Sequence, residues 1–387
     1  MQTDIQKRPK FLIVSDTAVS RGANGKYLAF EPVAREIENF YFLFESITWI
    51  ASEYPSTDGS YNRREIKKAK VNYVLTPRIG GPGLLNLLLI LKEYFRLFFL
   101  IRKEIKQADF IHSRGPSHAA IICALWSFVY RRDKVYWHKF AGNWAQNNPP
   151  KSYGFLRWLL KHANHTIVTI NGHWPDQKPN QLTFENPCLT KEERIAGKEV
   201  IQQKDYSGKL DFVFVGRLED EKGVQRILNV FSQMQSERIG TIHFVGDGPK
   251  RKNYEQFVNG NRIKNIVFHG YLPRTEINVL LSKSHVFLLP SSASEGFPKV
   301  IAEAANYGLI PVVSDVSSIA QYIIDGQTGF IVQNADEVIL QEKVLGLLDT
   351  DTIKIKAIAD NAYLMAEDFT YDHYQERILN DILKNDK

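Results

Sequence analysis

Two solid apolar runs, Val286–Leu289 and Ile310–Val313, stand on either side of a stretch whose two ends both carry helix punctuation. Runs of this kind suit strands buried on both faces of a parallel sheet. Pro298 suits the first helical position, where its missing N–H leaves nothing unsatisfied, and Gly308 suits the left-handed stop. Strand, helix, strand with parallel strands leaves few folds open. The loop Ser291–Phe297 must then leave the carboxyl end of a buried strand and deliver the chain into a helix N-terminus. There the N–H groups around Lys299–Ile301 and the positive end of the helix dipole await an anion.

Two carboxylates bracket that terminus. Glu295 lies in the loop and Glu303 inside the helix, where side chains lean back toward the N-terminus. An acid touching a bound phosphate would repel it. The pair makes sense if one accepts hydrogen bonds from ribose hydroxyls and the other from sugar hydroxyls. Gly296, Phe297, Pro298 and Val300 are read as donor-binding with them. The string Ser-Glu-Gly-Phe-Pro, followed by Glu303, resembles the Glu–seven residues–Glu signature of the retaining glycosyltransferases of family 4. The resemblance implies an α/β chain of the GT-B fold: two doubly wound Rossmann-like domains whose parallel sheets face a central cleft.

The second half of the chain repeats strand and helix cleanly. Asp211–Val215 leads into Gly216-Arg-Leu-Glu-Asp-Glu-Lys-Gly223, and Thr241–Val245 leads into Gly246-Asp-Gly-Pro249. Asn265–His269 leads into Gly270-Tyr-Leu-Pro273. Strands alternating with helices imply a parallel sheet with right-handed crossovers, so these loops share one edge with Glu295 and Glu303. Arg217 offers a planar fork to phosphate oxygens and Lys222 a mobile point charge. The string from Gly216 resembles the family 4 loop whose Arg and Lys hold the donor diphosphate. Gly246, Asp247 and Gly248 resemble the family's Gly-x-Gly-Pro loop, and glycines there admit close approach of a ligand to the backbone. Tyr271 and Leu272 fall where the family's base-binding loop lies, although a core role for Tyr271 is equally open.

The first half is expected to open with a strand, Lys10–Ser15, a glycine loop holding Arg21, Gly22, Ala23, Asn24 and Gly25, and a helix to about Glu38. This loop is not a dinucleotide fingerprint. Asp109–His112 is read as a strand ending in His112-Ser-Arg-Gly-Pro116, and Lys134–Trp137 as a strand ending at His138. On a parallel sheet both ends emerge on one edge, which nominates His112, Arg114 and His138 as site residues. Arg21, Gly22, His112 and Arg114 are assigned to the acceptor. His138 resembles the family histidine that contacts the donor sugar, and with Glu295 it is assigned to catalysis. Ser52–Tyr61 is polar and turn-rich, and Gly80-Gly81-Pro82-Gly83 breaks the chain before Leu84–Lys106. That segment is very apolar, but Asn86, Lys92, Glu93 and Arg96 interrupt it too often for a membrane span. It reads either as a core helix with one polar stripe or as an interfacial helix meeting anionic lipid.

A length of 387 residues favours two domains. The boundary is expected near Pro187: residues 1–187 take the acceptor, 188–367 take the nucleotide-sugar donor, and a closing helix, 368–387, packs back on the first. Residues 1–185 hold 26 Lys and Arg against 15 Asp and Glu, a net +11, while the whole chain carries +6. A basic half suits anionic headgroups or a phosphate-bearing acceptor. No nucleic-acid module accompanies it, so nucleic acid is not expected as a partner. Two cysteines and a polar Met1–Lys10 fit reducing cytosol, with attachment at the inner face of a membrane.

The expected reaction moves a sugar from a nucleotide diphosphate to the hydroxyl of a glycan or lipid-linked acceptor, in bacterial-type surface polysaccharide or glycolipid assembly. The family retains anomeric configuration. No cofactor or metal is expected, because no Asp-x-Asp string is evident and the leaving group's charge falls to Arg217, Lys222 and the helix dipole. Two alternatives stay open: a non-hydrolysing nucleotide-sugar epimerase, and a non-catalytic subunit that binds a nucleotide sugar.

Overall fold

The computed structural model describes residues 8–22, 25–55, 62–78, 84–130 and 134–384, with backbone alone for 84–90. Met1–Lys7, Ala23 and Asn24, residues 56–61 of the polar stretch, and Gly80–Gly83 lie outside the described residues. The chain divides into two units, 1–184 with 375–387, and 185–374. The division falls after Phe184, three residues before the expected Pro187, and only 375–387 of the closing segment join the first unit.

The first unit holds β1 (Lys10–Arg21), β2 (Tyr27–Phe30), α1 (Glu31–Phe40), β3 (Ser46–Glu53), β4 (Arg63–Arg64), β5 (Val71–Thr76) and α2 (Leu84–Gln107). It continues with β6 (Phe110–Gly115), α3 (His118–Val129), β7 (Val135–Phe140), α4 (Lys151–His162), β8 (Ile167–Ile170) and β9 (Gln181–Thr183). Seven strands pair in parallel in the order β5-β3-β1-β6-β7-β8-β9. Right-handed crossovers carry α2, α3 and α4 onto the same face of this sheet. Leu97, Ile101 and Ile105 of α2 are buried with Leu12, Ile111, Ile122 and Trp126 in one core cluster.

The opening of the chain departs from expectation. β1 does not stop at Ser15: after an irregularity between Val14 and Ala18 it runs on to Arg21 and turns back antiparallel into β2. Ala18 and Val19 are buried, which makes the extra length worth forming. Arg21 and Gly22 therefore sit at a hairpin turn rather than in a strand-to-helix loop.

The second unit holds α5 (Lys191–Gln203), β10 (Leu210–Val215), α6 (Val224–Gln233), β11 (Ile239–Val245), α7 (Arg251–Gly260), β12 (Ile266–Gly270), α8 (Arg274–Lys283) and β13 (Val286–Leu289). After these come α9 (Lys299–Asn306), β14 (Ile310–Ser314), α10 (Ile319–Tyr322), β15 (Phe330–Val332), α11 (Glu337–Asp349) and α12 (Thr352–Met365). A last helix, α13 (Tyr371–Arg377), spans the division between the units. All six strands are parallel, in the order β12-β11-β10-β13-β14-β15. The chain winds outward one way from β10 and the other way from β13. The crossovers after those two strands consequently leave in opposite directions, and an open α/β sheet binds ligands at that switch point. Gly308, at φ 74°, ends α9 in the left-handed conformation its sequence foretells.

Candidate functional site

The switch point joins the loop after β10 to the loop after β13. Asp220–Lys222 forms a short 3-10 turn, and the Glu221 carbonyl accepts from Ser292 N–H at 2.8 Å, Ala293 N–H at 3.2 Å and Ser291 Oγ at 2.9 Å. Arg226 fastens the same contact, donating to the Asp220 carbonyl at 3.0 Å and the Pro290 carbonyl at 3.3 Å. Such close approach depends on glycine. Gly223 has φ 87°, and a Cβ there would lie 2.3 Å from the Pro290 oxygen. Gly246, at φ 124°, leaves only 2.0 Å between such an atom and the Gly216 oxygen, and Gly248 leaves 2.4 Å to that of Leu218. The loops after β10, β11 and β13 are thus one interlocked surface.

That surface sets Lys222 against Glu295 in a direct ion pair, with the ammonium largely buried and the carboxylate about half exposed. An exposed acid and a sheltered cation beside a helix N-terminus can grip hydroxyls and phosphate respectively. Arg217 stands apart: its exposed guanidinium pairs with Glu219 at 2.6 Å. Asp220 pairs with Lys250 and accepts from Tyr254 Oη at 2.6 Å, and these two partners hold its carboxyl below the usual range.

Helix α9 begins at Lys299, so Pro298 occupies the cap rather than the first helical position. The Ile301 N–H already donates to the Pro298 carbonyl at 3.0 Å. Phe297 is buried and stacks on Phe369 at 4.4 Å, so its ring anchors the loop in the core. Val300 packs partly buried against that core. Glu303 does not stand open beside Glu295. Arg274 donates to it at 2.6 Å, to Glu193 at 2.9 Å and to the Cys188 carbonyl at 3.0 Å. Burial opposes the charge on Arg274, but the two carboxylates overcome it and hold the guanidinium above its ordinary range. Tyr271 is exposed, whereas Leu272 packs against the core. Asp247 is exposed, accepting from Gly248 N–H at 2.7 Å and facing Arg251 at 3.4 Å.

In the first unit, β6 and β7 lie in register with Ser113 opposite His138 and Arg114 opposite Lys139. Alternation along the strands sends these pairs to opposite faces of the sheet. On one face, Arg114 grips Glu36 of α1 at 2.7 and 3.0 Å, Lys139 reaches the same carboxylate at 3.0 Å, and His112 Nε2 lies 3.3 Å from Arg114. On the other, His138 Nδ1 meets Ser113 Oγ at 2.6 Å. Both nominated rings, His112 and His138, are fully buried, so neither stands open to solvent. β7 runs two residues past His138 to Phe140, which draws the ring into the sheet interior. Burial, helped by His165, pushes His138 down to about 3, and burial with Arg114 lowers His112 far below the usual imidazole range. Arg114, mostly buried, is closed onto Glu36. Arg21, at the hairpin turn, is exposed 3.7 Å from Glu53, and Gly22 N–H donates to the Lys26 carbonyl at 2.8 Å.

Residues 198–365 match the family described as glycosyl transferases group 1. A 41.2 kDa protein in the cps region of Klebsiella pneumoniae, itself uncharacterized, is 29% identical over 66% of this chain and 74% of its own length. A candidate colanic acid biosynthesis glycosyltransferase of Salmonella typhimurium, WcaL, is 27% identical over 41% of this chain and 41% of its own. Among solved structures, HepE of Anabaena, determined with UDP and glucose, superposes with a TM-score of 0.67 at 16% identity, covering 97% of this chain and 100% of that one. The fold is GT-B. The family match and the relatives together support the GT-B glycosyltransferase superfamily.

Every donor residue nominated in this GT-B chain, from Gly216 to Glu303, falls inside the family match. Sequence reasoning missed Arg274, Glu193, Arg226, Glu36 and Lys139. Lys139 and Glu36, for example, lie 103 residues apart, and no local spacing announces such pairs. Among the described residues, no group of three or more His, Cys, Asp or Glu is placed to hold a metal ion, and no helix is long and apolar enough to cross a membrane.

Proposed function

We propose that the chain is a retaining glycosyltransferase that takes a sugar from a nucleotide diphosphate and gives it to an acceptor hydroxyl in surface polysaccharide or glycolipid assembly. The observation that carries this reading is the Lys222–Glu295 pair at the switch point, beside the N-terminus of α9. Lys222, Arg217 and the helix terminus would take the diphosphate, and Glu295 the sugar hydroxyls. Gly246–Gly248 would let the donor lie against backbone, with Tyr271, Leu272 and Glu303 at the nucleoside. The relatives support the setting: one is named for colanic acid biosynthesis, and the Anabaena structure was solved with UDP and glucose.

In the proposed reaction the bond from the anomeric carbon to the diphosphate oxygen breaks, and the acceptor oxygen bonds to that carbon from the same face. The acceptor's proton passes to the departing phosphate. No metal takes part, because charge on the leaving group is met by the two cations and the helix dipole. The first unit, in the strongly basic half of the chain, is assigned the acceptor.

A thermal-shift screen over UDP, GDP, ADP and their sugars tests the donor half, since a ligand that binds the folded state raises its melting temperature by mass action. The reading expects one nucleotide diphosphate family to shift the melt and its Lys222→Ala variant to lose the shift. No shift with any of them would overturn it.

A further inference from the structure

Helices α2, α3 and α4 form one layer over the sheet of the first unit, and its outer side is unusually apolar. This unit's described residues carry ten exposed large hydrophobic side chains, and eight of them sit on these three helices. They are Leu91, Phe95 and Phe99 on α2, Leu125 and Val129 on α3, and Tyr153, Phe155 and Trp158 on α4, with exposures from 38 to 64%. Single exposed hydrophobics are ordinary, but a concentration of them on one layer marks an interaction face. Leu91, Phe95 and Phe99 recur every fourth residue and so line one stripe. Phe155 and Trp158 stack at 6.0 Å on the outside of α4. None of this is a spare core surface: α2 buries Leu97, Ile101 and Ile105 on its other side.

The charge on the same helices chooses the partner. Their sequences hold eight cations (Lys92, Arg96, Arg102, Lys103, Lys106, Lys151, Arg157 and Lys161) against two acids, Glu93 and Glu104. Lys92, Arg96 and Lys103 are exposed alongside the aromatic stripe of α2. A protein partner of mixed charge would be met by mixed charge here. Aromatic and aliphatic side chains interleaved with cations instead suit the boundary between acyl chains and anionic headgroups. We infer that the outer layer of α2, α3 and α4 docks on an anionic lipid bilayer, with Leu91, Phe95, Phe99 and Trp158 entering the interface and Lys92, Arg96 and Lys103 among the headgroups. The inference does not depend on the donor reading, because none of these residues belongs to the second unit.

Co-sedimentation of the full chain with vesicles of phosphatidylcholine, alone or mixed with phosphatidylglycerol, tests it. Binding is expected to the mixed vesicles and to fall steeply as salt rises. Phe95→Ser with Phe99→Ser should weaken that binding at least tenfold. Lys92→Gln with Arg96→Gln should weaken it about thirtyfold, at about 1 kcal/mol per cation near an anionic surface. Unchanged melting temperatures would show that both variants fold. Absence of binding to the mixed vesicles, or binding indifferent to the Phe95 and Phe99 changes, would overturn the inference. So would a dimer in light scattering that those two changes dissolve, since the face would then belong to a second copy.

Discussion

Arg274 at the start of α8 donates to Glu303 of α9 at 2.6 Å, and this contact ties the helix after the Tyr271–Leu272 loop to the helix after Glu295. The same guanidinium reaches Glu193, whose carboxylate also closes the capping box of α5 with Thr190. One cation therefore registers three helices of the second unit. It also keeps two partly buried carboxylates from repelling each other.

Replacing Arg274 with Met should accordingly cost the second unit about 2–3 kcal/mol, because two sheltered acids and the Cys188 carbonyl lose their donor. Arg274→Lys should recover part of that, since a point charge meets one acid at a time. Calorimetry of the transition that responds to nucleotide would measure both. Equal stability of wild type and Arg274→Met would show that the ion cluster contributes little.

Lys222→Ala separates binding from stability. Its partner Glu295 is about half exposed, so the pair stabilises the fold by no more than about 1 kcal/mol. The proposed diphosphate contact is charge-assisted, and its loss should weaken nucleotide diphosphate binding at least tenfold, about 1.4 kcal/mol. The matching nucleoside should bind nearly as before. Titration calorimetry with both ligands decides, and parallel losses would remove Lys222 from the phosphate.

What could be read from the chain was what neighbours in sequence enforce. The solid runs Val286–Leu289 and Ile310–Val313 became the parallel strands they imply, because burial on both faces leaves no polar alternation to mislead. Gly308 ended α9 for the same local reason. Pro298 slipped by one residue to the cap, within the usual blur of helix ends. The hairpin after Ser15 was invisible, since its reason is the burial of Ala18 and Val19 within the tertiary fold. So too with the acids: Glu303 displays its spacing from Glu295 in the sequence, but not Arg274, which meets it from 29 residues upstream. His138 shows the limit most sharply, since β7 runs two residues past it and buries a position that the apolar pattern leaves at a strand end.

The glycine contacts make a prediction independent of any ligand. Gly246→Ala would put a methyl group 2.0 Å from the Gly216 oxygen at a φ of 124°, where no L side chain rests easily. Both loops must shift, and a destabilisation of about 2–3 kcal/mol is expected from strain and overpacking together. Gly346→Ala, where a Cβ meets nothing within 4 Å and the site lies inside α11, should instead be neutral or slightly stabilising. Melting temperatures of the two variants provide the comparison, and similar behaviour would refute the role given to Gly246.

His138 predicts how the first unit answers to acid. Its ring is neutral in the fold down to about 3, chiefly through burial, while a free imidazole takes its proton near 6.5. As pH falls below about 6.5 the unfolded chain therefore binds a proton that the folded chain refuses. Stability must be lost from there down to about 3, at up to about 1.4 kcal/mol per pH unit for this one group. His112, also buried and lowered, acts in the same direction. Between pH 6.5 and 5, before most carboxylates titrate, His138→Gln should flatten the decline by up to one proton's worth. The imidazole carbon resonances of His138 in the unaltered protein should also stay constant across that range. A ring that titrates near 6 would mean that His138 reaches water and is not held neutral by burial.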